Sequence, residues 1–145
     1  MKRKIAGLLA LTVVLSLLLT GCGRRGVEGN PLPEGMDEET VLDAGRQVVE
    51  LLNDGDYQEI YDQMRSDGQK ATSVVSIQDY MDGLFEKVGA YEKENQAMAT
   101  GQKIKDTGEE YATAVFLCKH TKKDVMYRIA FSADMELMGL EVTKK

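Results

Sequence analysis

The chain has no tryptophan, one histidine, two prolines and two cysteines among its 145 residues. Two cysteines cannot build a disulfide scaffold or an all-cysteine zinc site. Bases are outnumbered, 18 against 24 acids, and the formal charge is −6. That balance argues against nucleic acid as the main partner, because phosphate binding needs a basic surface. No HExxH, GxSxG, phosphate-loop or GxGxxG pattern occurs. What is present fits one small globular domain, with 29% charged and 43% hydrophobic residues.

The N-terminus is of a different character. Lys2, Arg3 and Lys4 precede the uncharged, leucine-rich run Ile5–Leu19. A basic start, an apolar run and small residues before a cut describe a secretory signal. The same run is short for a helix spanning about 30 Å of hydrocarbon. Leu19-Thr20-Gly21-Cys22 resembles the lipobox of bacterial lipoproteins. The resemblance implies that residues 1–21 are a removed signal peptide and that Cys22 carries diacylglycerol and fatty acid such as palmitate. The mature chain is then held on the outer side of the cell membrane. Arg24 and Arg25 count the other way, since positive charge just beyond a signal opposes export.

Removing residues 1–21 removes Lys2, Arg3 and Lys4 and no acid, which takes the formal charge from −6 to −9. An anionic domain is expected to be repelled by anionic headgroups, leaving the acyl chains and the two arginines as its membrane contact. Residues 22–36 read as a lipid-anchored linker, because Gly23–Gly35 holds four Gly and two Pro and few large apolar groups. Residues 37–145 form the domain. Cys118 is its one thiol, best kept buried in an exported protein.

Asp37-Glu38-Glu39 suits a helix N-terminus, and Val41, Ala44, Val48 and Leu51 or Leu52 recur at helical spacing up to the stop at Asn53-Asp54-Gly55. A second helix starts at Asp56, with Glu59 completing a capping box, and carries Tyr57, Ile60, Tyr61 and Met64. Ser66–Val75 holds one short turn of helix. Ser76 and Asp79 signal the start of a last helix with Ile77, Tyr80, Met81, Leu84, Phe85 and Val88 in phase, ended by Gly89. These stripes read as core faces rather than as a partner-binding groove of Met and Tyr.

From Ala90 the period becomes two. Tyr91–Thr100 reads as a polar edge strand, and Tyr111–His120, Asp124–Phe131 and Glu136–Thr143 as three further strands. A hairpin centred on Thr121-Lys122 sets Cys118 opposite Val125, Phe116 opposite Tyr127, Ala114 opposite Ile129 and Ala112 opposite Phe131. A turn at Ala133-Asp134 adds Met138, Leu140 and Val142 to the same apolar face. The other face receives Val115, Leu117, Met126, Arg128, Leu137 and Glu141. A one-residue slip would bury Arg128. The fold class expected is therefore α+β: N-terminal helices on a curved antiparallel sheet of about four strands.

Leu51-Leu52-Asn53-Asp54-Gly55-Asp56-Tyr57, Val88-Gly89-Ala90-Tyr91, Ala130-Phe131-Ser132-Ala133-Asp134 and Met138-Gly139-Leu140 resemble, in that order, an uncharacterised domain family of bacterial lipoproteins. Met135 stands where that family commonly has a glycine. The family is similar to the NTF2-like superfamily, a cone of helices against a curved sheet. The resemblance implies no catalytic residue, cofactor or metal. It does imply a sheet whose outer face often pairs two copies. Phe116, Cys118, Tyr127, Ile129 and Leu140 are the candidate pocket lining. His120 reads as a solvated hairpin residue, and Glu136 lies roughly 26 Å from it, too far for an acid–base pair. The function expected is a lipid-anchored, non-catalytic module for a ligand, an envelope component or a protein partner. The alternative is a small enzyme of isomerase, dehydratase or hydrolase type, with its site inside the cone.

Overall fold

The structure, a computed structural model, describes residues 29–145. The expected signal peptide 1–21, Cys22 and the first half of the linker lie outside the described residues. Four helices, α1 (Glu38–Asp54), α2 (Tyr57–Gln63), α3 (Ser66–Ala71) and α4 (Val74–Val88), are followed by β1 (Tyr91–Lys103), β2 (Glu110–His120), β3 (Asp124–Ser132) and β4 (Leu137–Lys144). The strands form one antiparallel sheet in the order β1-β2-β3-β4. Helices then a curved, unclosed sheet make an α+β fold consistent with an NTF2-like arrangement.

The caps explain where α1 begins and ends. Asp37 accepts from Thr40 N at 3.0 Å, and Glu38 and Glu39 lie in the first turn, where the helix dipole favours negative charge. Gly55 closes the helix at φ 80°, and its N–H donates to the Leu51 carbonyl. Two other expected caps differ. Asp56 makes no side-chain capping bond, so the box with Glu59 does not form. The last helix is capped by Ser73, not Ser76, because Ser73 Oγ accepts from Ser76 N and draws Val74 and Val75 into the first turn. Tyr80 leaves the expected stripe as well. It is 53% exposed, and its hydroxyl donates to the Val142 carbonyl while Met81 takes the buried position.

The β2–β3 register is the one the alternation dictates, with Cys118 facing Val125, Phe116 facing Tyr127, Ala114 facing Ile129 and Ala112 facing Phe131. These eight residues are buried, and Arg128 lies exposed on the other face, paired to Glu141 at 3.4 Å. The last strand is shifted. Ala130 pairs with Gly139 but Phe131 pairs with Leu137, so a bulge falls at Met138. Leu137 thereby turns into the core, not outward, and Met138 and Leu140 are only half-buried. Two features set the shift. Met135 adopts φ 62° in the turn, a left-handed conformation that favours glycine, and Met64–Arg65 bridges to Leu137, with Arg65 N donating to its carbonyl at 2.8 Å.

Residues 29–36 depart from the free linker expected over 22–36. Gly101 N donates to the Asn30 carbonyl and Asn30 N to Thr100 Oγ1, both at 3.0 Å, and Pro33 is buried. A Cβ at Gly101 would sit 1.8 Å from the Pro31 oxygen, so only glycine admits this contact. The apolar Leu32 and Met36 pack on the core and offset the entropy of ordering the segment.

The registers give a stability test. Phe116→Ala should lower unfolding stability by about 3–5 kcal/mol in urea melts, since it empties a fully buried site. Arg128→Ala, which breaks only an exposed ion pair, should change it by less than about 0.5 kcal/mol.

Candidate functional site

Helix α1 approaches β2 closely at Gly45, where a Cβ would meet Phe116 Cε2 at 2.6 Å and Ala114 Cβ at 2.8 Å. That close crossing carries Arg46 and Asn53 to the sheet. Arg46 lies 5.9 Å over the Phe116 ring and grips Glu94 of β1 with Nε at 3.0 Å and Nη2 at 3.1 Å. Beyond the ion pair opens a cleft of about 380 Å³ between α1 and the β1–β2 edge. Phe116 and Cys118 floor it, and Asn53, Asp54, Glu50 and Tyr91 stand around it.

Beneath the cleft runs a chain of hydrogen bonds. Asn53 Nδ2 donates to the Val49 carbonyl at 2.8 Å and to Tyr127 Oη at 3.1 Å. Tyr127 Oη lies 2.9 Å from His120 Nε2, and His120 Nδ1 lies 2.8 Å from the Gly89 carbonyl. A carbonyl can only accept, so Nδ1 carries the proton toward Gly89. Nε2 then accepts from the Tyr127 O–H, which leaves the Tyr127 oxygen free to accept from Asn53. Each side-chain N–H and O–H of the chain thus has one acceptor. Among the described residues no buried side-chain nitrogen or oxygen lacks a partner.

His120 thus differs from the solvated residue expected. It is 2% exposed, stacked on Phe85 at 5.8 Å and on Tyr127 at 6.1 Å, with the edge of Tyr91 at 5.7 Å. The turn Gly89-Ala90-Tyr91 explains it. Thr121 N donates to the Ala90 carbonyl, and Lys122 N to that of Val88, folding the hairpin against the end of α4 and roofing the imidazole. Its parity in β2, shared with Cys118 and Phe116, was the available signal. Asn53 had none, since in sequence it reads only as part of a helix stop.

Of the candidate pocket residues, Phe116 and Cys118 meet at the cleft floor. Tyr127 and Ile129 are fully buried behind it, and Leu140, opposite Ile129 on β4, is half-buried and packs against the core. Burial pushes the Cys118 thiol up to about 11, and the Glu94 carboxylate adds to the rise. Burial likewise pushes the Tyr127 phenol far above its usual range, against the lowering effect of Asn53. Neither is poised to ionise near neutral pH. Among the described residues no group of three His, Cys, Asp or Glu could hold a metal ion.

The outer sheet face is the more open surface. Met98, Val115, Leu117, Met126 and Ala130 line a broad groove of about 1270 Å³, with Arg128 and Glu141 in its midst.

Two measurements check the buried chain. Tyr127→Phe leaves His120 Nε2 and one Asn53 N–H without a partner and should cost about 1–3 kcal/mol in urea melts. The Cys118 thiol has a higher pKa folded than unfolded, where about 8.5 is usual. Its contribution to stability is therefore present below that value and is lost as pH rises through about 11. At mildly alkaline pH a thiol reagent should modify Cys118 far faster in the unfolded chain than in the native one.

A family model described as "Protein of unknown function" matches residues 45–140. The NMR structure of a protein from Ruminococcus gnavus ATCC 29149 is similar, with a TM-score of 0.64 and 28% identity, over 77% of this chain and 96% of that one. No curated protein matches the chain. A match over residues 45–140, from the middle of α1 into β4, takes in nearly the whole helix-and-sheet unit, and the chain belongs to the family of proteins of unknown function designated DUF3887.

Proposed function

We propose that this protein is a lipid-anchored module exposed outside the cytoplasm, which acts by binding rather than by catalysis and pairs with a second copy through its outer sheet face. The observation that carries this reading is the contrast between the two sheet faces. The inner face is covered by the helices apart from the small cleft beside α1, and its buried polar groups are all partnered. The outer face leaves an apolar groove open across four strands.

A second copy suits that groove because the face holds both signs of charge. Arg128 and Glu141 face each other across β3 and β4, surrounded by apolar side chains. A two-fold axis near them sets each arginine against the other copy's glutamate, as an isologous interface requires. The anchor rests on the lipobox resemblance at Leu19-Thr20-Gly21-Cys22. Among the described residues no helix is long and apolar enough to cross a membrane. In this reading the anchor is Cys22.

The enzymatic alternative draws on the His120–Tyr127 hydrogen bond. It is the weaker reading because Tyr127 is fully buried and both of its partners are protein groups.

Fatty-acid labelling in cells should mark the wild-type chain and not Cys22→Ala, and the variant should leave the membrane fraction. Sedimentation of the detergent-solubilised chain at micromolar concentration should give a dimer, and Met126→Glu a monomer with an unchanged melt. Labelling of Cys22→Ala would remove the anchor from this reading, and a wild-type monomer would remove the pairing.

A further inference from the structure

The charge of the domain is divided between its two ends. Residues 29–145 hold 13 bases and 23 acids. Seven of those bases, Lys87, Lys93, Lys119, Lys122, Lys123, Lys144 and Lys145, come together at one end, although they arise from four separate segments. Lys93 pairs across from Lys119, Lys144 pairs with Val125, and the backbone of Lys122 and Lys123 donates to Val88 at the end of α4, one residue beyond Lys87. All seven side chains are exposed. The acids facing them are Glu86 on α4, Glu92 on β1 and Asp124 on β3. Lys119 takes Glu92 at 3.1 Å, and nearby Glu94 is held by Arg46. This end is net positive on a domain that is net negative.

We infer that this lysine end is a docking surface for anionic lipid headgroups and sets how the domain lies on its own membrane. The inference rests on the lipid-anchor reading above. Geometry supports it. The described chain begins at Gly29, packed on Thr100 and Ala99 of β1. The seven residue steps from Cys22 span at most about 24 Å. From Thr100 to Tyr91, at the lysine end, β1 runs roughly 30 Å. With the tether extended, a tilt of the domain brings its lysine end to the bilayer that holds the acyl chains. The rest of the surface is strongly acidic and is repelled by the same headgroups, so this is the orientation that anionic lipid favours. The expected repulsion of the whole domain is thereby replaced by a dipole with one attractive end.

The test couples Cys22 of the chain to a maleimide lipid in vesicles, which imposes attachment and leaves the buried Cys118 untouched. Lysine acylation is then read by mass spectrometry. With phosphatidylglycerol in the vesicles, Lys119, Lys123 and Lys144 should be modified several-fold more slowly than with phosphatidylcholine alone, and Lys103 and Lys105 at the same rate in both. The protection should vanish at about 1 M salt, where the screening length falls to about 3 Å. Lys123→Glu with Lys144→Glu should abolish it at Lys119. Lys103→Glu with Lys105→Glu should not. Equal modification in the two lipids would overturn the inference. So would protection by soluble polyphosphate and not by phosphatidylglycerol, which would assign this end to an anionic polymer. Because attachment is imposed, neither result depends on whether cells acylate Cys22, which the fatty-acid labelling decides separately.

Discussion

The close crossing of α1 over β2 at Gly45 organises the inner half of this molecule. A side chain there would overlap the Phe116 ring, and the helix would have to rise off the sheet. Because it does not, Val41, Val48 and Leu52 are buried almost completely against β2 and β3. Arg46 reaches Glu94, and Asn53, two turns along, reaches Tyr127. The polar chain through Tyr127 to His120 and Gly89 is held at one end by this contact. At the other it is held by the hairpin turned in against α4. Buried polar groups are costly unless all of them are paired, and here the pairing needs both helices in place at once. The network therefore ties α1, α4 and the central strands into one arrangement.

The two sheet faces follow from the β2–β3 alternation. With period two, one register gives a face bearing Phe116, Tyr127 and Ile129 and another bearing Arg128, Val115 and Met126. This much was legible in the sequence, because an arginine in the middle of an apolar strand allows only one way round. The helices were legible for a similar reason, in the Asp37 cap and the Gly55 stop. What the sequence hid was governed by contacts between distant segments. The β4 bulge depends on Met135 adopting a backbone conformation more usual for glycine and on the bridge from Met64 to Leu137. The burial of His120 depends on the Gly89–Tyr91 turn folding over it. Neither is a property of the local pattern.

The candidate site was legible only in part. Phe116 and Cys118 were recognisable as inward-facing, and they do floor the cleft. Arg46 and Asn53 were not, since on a helical pattern they look like solvent-facing residues. Charge gave the least warning. The sum over the chain is acidic, yet the fold gathers lysines from α4, β1, the β2–β3 hairpin and β4 at one end. A composition carries a total, whereas a surface potential depends on where strands begin and end.

The docking of residues 29–36 on β1 has a mechanical consequence. A pull on the N-terminal segment loads first the short stretch that holds Asn30 and Pro31 beside Gly101. Its two polar contacts, Asn30 to Thr100 and to Gly101, can part without disturbing the β1–β2 ladder behind them. Drawing out the rest of the segment to Met36 then pulls Leu32, Pro33 and Met36 from their packing, ahead of the helices and strands. The segment acts as a strain relief between whatever holds the N-terminus and the sheet, and it can re-seat when the load drops.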